Sequence, residues 1–143
     1  MGESTQVIAI DGPVAAGKTT VGRELARRLG LSYLDTGVMY RAITWLALQR
    51  KVSIADKAVL GRLAQESTIR MAGRDSHTVL VSGERVGPEL WEPQVVRSVS
   101  QVAQVPEVRR ALVEQQRALA AAGRMVMAGR DIGTAVLPTA DLK

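Results

Sequence analysis

At 143 residues with 46% hydrophobic content, the chain is sized for one domain carrying an insert, and it is too apolar to be disordered. No apolar run approaches the roughly 18 residues of a membrane span. With no cysteine there is no disulfide or thiolate zinc site, and the N-terminus lacks a signal-peptide pattern, so a cytoplasmic protein without a membrane partner is expected. The net charge of +5 would suit nucleic acid only if the basic residues clustered. They are spread from Arg23 to Arg130, and two Trp, two Tyr and no Phe make a poor stacking platform. Small anionic substrates explain the arginines better than a nucleic acid does.

The first element is a short β-branched run at residues 7–10, read as a buried parallel strand. It leads into Gly12, Pro13, Val14, Ala15, Ala16, Gly17, Lys18 and Thr19, followed by Thr20, which fit the phosphate-binding spacing G-x-x-x-x-G-K-[ST]. A helix is predicted over 19–29, with Val21, Leu25, Ala26 and Leu29 setting its period and Gly30 as its stop. Strand, glycine loop and helix stand in the order that phosphate binding needs. The glycines let successive N–H groups converge on one phosphate chain, and the helix start adds its positive dipole end. Lys18 then reaches the β/γ-phosphates of a nucleoside triphosphate, and the Thr19 hydroxyl ligates Mg²⁺.

A second strand is expected at 31–34, a turn at Asp35-Thr36-Gly37, and a helix over 39–49 with Tyr40, Ile43, Leu46 and Ala47 on one face. After a helix at 56–66 the period changes from helical to alternating. Strands at 68–71, 78–81 and 84–86 read as an antiparallel insert, because such a meander breaks the order of a parallel sheet. Helices at 92–104 and 106–122 follow, then a third core strand at 125–128 running into a glycine-bounded turn over 129–134. The fold class expected is α/β: a parallel core sheet over 1–51 and 105–143, and a small antiparallel α+β insert over 52–104.

In open parallel sheets, ligands gather at the carboxyl ends of the strands. Three strand ends here carry polar turns: the phosphate loop, Asp35-Thr36-Gly37 with Tyr40 and Arg41, and Gly129-Arg130-Asp131. The first suits a nucleoside triphosphate, so the other two are candidates for the acceptor.

These stretches, with Ser100-Gln101-Val102-Ala103, Pro106 and Val108-Arg109, resemble the bacterial cytidylate kinases in family order along the chain. The resemblance implies a three-layer P-loop kinase fold, in which the insert is the monophosphate-binding region. It further implies transfer of the γ-phosphoryl of ATP to CMP or dCMP, with ATP and Mg²⁺ required. By the same resemblance Arg41 and Arg109 clamp the CMP phosphate, while Thr36, Ser100, Arg130 and Asp131 contact cytosine and sugar. Tyr40 and Gly129 stand beside them. A carboxylate at Asp131 accepts from an exocyclic amine and so favours cytosine over uracil. Lys18, Asp11 and Arg130 are the implied catalytic set, with a turn-shaping role for Asp11 equally open. Arg41, Arg109 and Ser100 taken singly also read as solvated helix residues.

The family's fold continues past residue 143, with a core strand starting at 141–143, an arginine-bearing lid and a final strand and helix. Weak or no turnover is therefore expected of the 143-residue chain alone, and a monomer if the fold is complete. The alternatives are a P-loop kinase for another small anionic acceptor and a non-catalytic nucleotide-binding module. His77 reads as exposed, and Trp45 and Trp91 as packing residues.

Overall fold

Alternating short apolar runs and amphipathic stretches give, in chain order, β1 (Val7–Asp11), α1 (Lys18–Leu29), β2 (Ser32–Asp35), α2 (Thr36–Gln49), α3 (Lys57–Glu66), β3 (Ile69–Met71), β4 (Val79–Val81) and β5 (Glu84–Val86). A 3-10 turn (Pro88–Trp91), α4 (Pro93–Ala103), α5 (Pro106–Ala121) and β6 (Met125–Gly129) complete the series. The computed structural model describes residues 6–12, 18–73, 78–130, 132, 136 and 137; of Lys18 and Thr19 it describes only the helical backbone. Among these residues no helix is long and apolar enough to cross a membrane. They fall into two compact units, one drawn from 1–36 and 116–143, the other mainly from 37–73 and 77–115.

The first unit holds the parallel sheet, in the order β1-β6-β2. The last strand in sequence is therefore the central one. Every residue of β6 is buried, as it must be in a strand with a neighbour on each edge and side chains covered on both faces. Ile8, Ala26, Leu31, Tyr33, Val126 and Ala128 form one apolar cluster, with Leu25 and Ile10 against it. α1 joins it through small residues: a Cβ on Gly22 would lie 2.5 Å from Cε1 of the buried Tyr33. Closest approach, not side-chain size, decides which face of α1 turns inward. Val21 and Leu29, expected on the inner face, are 59% and 45% exposed. Gly30, at φ 69°, ends the helix, and the Leu31 N–H donates to the Ala26 carbonyl at 2.8 Å.

The second unit holds a separate antiparallel sheet, β3-β4-β5. Ile69, Val79, Val81 and Val86 are its buried side chains. The turn expected over 73–76 falls largely outside the described residues. α3 starts at Asp56, whose carboxylate accepts from the Val59 N–H at 3.2 Å. It lies close to α5, since a Cβ on Gly61 would be 2.7 Å from the Glu107 Cβ. Gln115 ties α5 to the strand entry: its Oε1 accepts from the Ile69 N–H at 2.9 Å and its Nε2 donates to the Ser67 carbonyl at 2.8 Å.

Two expectations are corrected here, and one element is added. Asp35-Thr36-Gly37 is not a turn: Asp35 closes β2 and the helix begins at Thr36 rather than at residue 39. Burial of Val38 and Met39 places the helix start, overriding the turn signal of Asp and Gly. α2 buries Ala42 through Ala47 nearly all round, so no single face stands out. The 3-10 turn at Pro88–Trp91 was not foreseen. Pro88 stands at its start, the Glu89 carboxylate accepts from the Gly87 N–H at 3.0 Å, and Leu90 is fully buried.

Candidate functional site

The parallel register brings three strand ends together within the first unit. Asp11 pairs with Gly129, and Asp35 with Ala128, so β1, β6 and β2 end on one line. With adjacent strands about 4.8 Å apart, the ends of β1 and β2 stand roughly 10 Å from each other across β6. The Gly12 N–H donates to the Gly129 carbonyl at 3.2 Å, which carries the pairing one residue past the strand into the start of the phosphate loop. Pro13, Val14, Ala15, Ala16 and Gly17 lie outside the described residues. α1 then starts at Lys18, with no acidic residue in its first turn. The positive end of its dipole thus meets no carboxylate of its own, which suits an anion.

Two contacts fix the loop after β6. The Asp11 carboxylate accepts a hydrogen bond from the Ile132 N–H, so this side chain, foreseen as either catalytic or turn-shaping, spans from β1 to the loop that carries Arg130 and Asp131. Gly129 faces Thr36: a Cβ there would collide with the Thr36 Oγ1 and lie 3.0 Å from the Ile132 Cδ1. Thr36 is buried. The position needs glycine for space, and the signal for it was present as a Gly at a strand end. Ile132 is buried and holds both contacts, one through its backbone N–H and one through its side chain, and no role of its own was read for it within the turn over 129–134. Arg130 is exposed at the end of β6; Asp131 lies outside the described residues.

In the second unit, Arg41 is the foreseen arginine with the most defined setting. Its Nη1 donates to the Leu90 carbonyl at 3.3 Å, and its guanidinium carbon lies 5.6 Å from the centre of the Trp91 ring. Trp91 was read as a packing residue, and the structure corrects this: it is 44% exposed, whereas Trp45 is buried. Tyr40 is half-buried one residue before Arg41, Ser100 is exposed on α4 and Arg109 is exposed on α5. His77 lies outside the described residues.

Among the described residues, the displaced titrations lie outside these contacts. Hydrogen bonds from Arg27 and then Arg28 hold the Glu24 carboxyl below its ordinary value, and Arg27 is correspondingly raised. Glu89 is lowered by its own backbone N–H and then that of Gly87.

A family model described as cytidylate kinase matches residues 8–143. A protein named cytidylate kinase from Pelotomaculum thermopropionicum is 49% identical over 138 residues, covering 95% of this chain and 61% of the relative. One of the same name from Herpetosiphon aurantiacus is 49% identical over 141 residues, covering 95% of this chain and 62% of the relative. A bifunctional pantoate ligase/cytidylate kinase from a Synechococcus strain is 48% identical over 141 residues, covering 96% of this chain and 26% of the relative. The chain thus spans about three-fifths of the length of the two single-function relatives.

Proposed function

The chain belongs to the cytidylate kinase family, and we propose that it carries the phosphate cradle and acceptor-binding residues of a cytoplasmic kinase that transfers the γ-phosphoryl of ATP to CMP or dCMP. The observation that carries this reading is the line of strand ends, in which Asp11, Gly129 and Asp35 close β1, β6 and β2 in one parallel register, taken with the Walker-type spacing that follows β1 in the sequence. In it, Lys18 and the first N–H groups of α1 receive the ATP phosphates. Thr19, in that same first turn, holds Mg²⁺, which when bound supplies charge neutralisation between the phosphates.

The acceptor side follows from donor chemistry. Arg41 and Arg109 take the CMP phosphate by charge-assisted hydrogen bonds, and Thr36, Ser100, Arg130 and Asp131 take cytosine and sugar, with Tyr40 alongside. Asp11 holds the Arg130–Asp131 loop through Ile132, so its share in catalysis is one of placement. The span 52–104 is the monophosphate-binding insert and the remainder the core. Phosphoryl transfer is then mainly positioning and charge neutralisation.

The test is calorimetric titration of CMP, dCMP, UMP and shikimate into the chain in the presence of ATP and Mg²⁺, paired with CDP formation by the chain fused to the unmatched remainder of the Pelotomaculum relative. CMP and dCMP should bind at least about tenfold tighter than UMP, a difference of roughly 1.4 kcal/mol. Equal binding of all four, or no CDP from the fusion, overturns the reading.

A further inference from the structure

We propose that Trp91 is a positioning residue for Arg41, and that with the Leu90 carbonyl it forms a fixed platform setting the guanidinium for the phosphate of the nucleoside monophosphate. The inference rests on the proposed function, in which Arg41 binds that phosphate.

A Trp left 44% exposed contributes little to the core beneath it, and large aromatics in the open usually have a use for their faces. Here the ring face carries a cation, with the Arg41 guanidinium carbon 5.6 Å from the ring centre, inside the range where the ring quadrupole attracts it. The backbone under the ring is anchored twice. Leu90 is fully buried, and the Glu89 carboxylate holds the Gly87 N–H at the entry to the turn. The Leu90 carbonyl occupies Arg41 Nη1 at 3.3 Å, and no further partner of this guanidinium is found among the described residues. One nitrogen is thereby committed and one face covered, which leaves Nε and Nη2 as the paired donors that match two phosphate oxygens.

Arginine is otherwise a long side chain that must be ordered when an anion arrives. Holding it in advance removes that ordering from the binding step. Trp91 acts through Arg41, so its contribution depends on the ligand's phosphate and vanishes without Arg41.

The experiment titrates CMP and cytidine into the 143-residue chain and its Trp91→Ala, Trp91→Phe, Arg41→Ala and doubly substituted Trp91→Ala/Arg41→Ala variants, with thermal unfolding recorded for each. Trp91→Ala should weaken CMP by about 3- to 10-fold, as expected for a partly desolvated cation–π contact. Trp91→Phe should stay within about twofold of the parent, since a ring face remains. Cytidine should be unaffected by either change, the unfolding midpoints should hold, and Trp91→Ala should add nothing once Arg41 is alanine. Equal loss of cytidine and CMP would mean that the ring touches the base, and would overturn the inference. So would CMP binding that needs Arg41 but ignores Trp91, in which case the proposed function stands. A parent chain that binds no CMP sinks both.

Discussion

The two units position their polar groups by different mixtures of means. In the parallel-sheet unit, much of the placement is done by missing side chains, since Gly22 admits Tyr33 and Gly129 admits Thr36, while Asp11 reaches across to the Ile132 N–H. In the other unit it is done by side chains reaching across the sequence. Gln115 bridges to Ser67 and Ile69, and Trp91 and Leu90 hold Arg41, some fifty residues earlier. The first method tolerates no added volume at its glycines. The second tolerates volume and depends on particular functional groups.

The comparison breaks most sharply at Gly129. Its replacement by Ala drives a methyl into the Thr36 Oγ1 and against Ile132, and overpacking of this kind costs about 1–3 kcal/mol. Thermal unfolding of Gly129→Ala should therefore fall by roughly 5–10 °C. Adding Thr36→Ala removes the hydroxyl in the way and should return most of that loss. No recovery would mean that Gly129 is needed for something other than space.

On the other side, Gln115→Ala removes volume and strains nothing, but strands the N–H of buried Ile69 and the Ser67 carbonyl. An unpaired buried backbone group costs about 1–3 kcal/mol, and denaturant unfolding should show a loss toward the lower end, because water reaches a half-buried site. Gln115→Glu, which keeps the acceptor for Ile69 and loses the donor for Ser67, should fall between Ala and the parent at neutral pH. An alanine variant as stable as the parent would remove the distinction drawn between the units.

The same contrast explains what could be read from the sequence. The strands, the helix after Gly17 and the separate antiparallel sheet were legible because alternation, β-branching and helical period are local signals. Strand order was not, since nothing local says that Met125–Gly129 lies between the two earlier strands. The inner face of α1 was half legible: Leu25 and Ala26 do join the core, but apolar size also marked the exposed Val21 and Leu29, while approach to Tyr33 selected Gly22. Arg41 was marked by its place after the second strand, and its phosphate-clamping role came from the resemblance. Its platform escaped notice because Trp91 lies fifty positions away in a 3-10 turn, although an aromatic in a chain with two Trp and no Phe was itself a signal.

The smallest expected effect separates the units by acid. Glu24 on α1 and Glu89 in the 3-10 turn both titrate below the ordinary value of 4.5. The unfolded chain therefore binds their protons first as pH falls. The stability they contribute is complete above about 4.5 and lost as pH drops through their lower folded values. Glu24 meets Arg27 at 2.5 Å and Arg28 at 2.7 Å, in pairs with heavily exposed side chains, so salt screens it and Glu24→Gln should barely alter unfolding at any pH. Glu89 instead holds the N–H that begins the turn under Trp91. Between pH 6 and 3 the emission of the exposed Trp91 should shift in the parent chain with a midpoint below 4.5, and Glu89→Gln, which keeps an acceptor at every pH, should flatten that shift while Glu24→Gln preserves it. Because Trp45 is buried, the exposed ring dominates the change. A shift that survives Glu89→Gln would place the acid-sensitive contact elsewhere and detach the turn's carboxylate from the platform that holds Arg41.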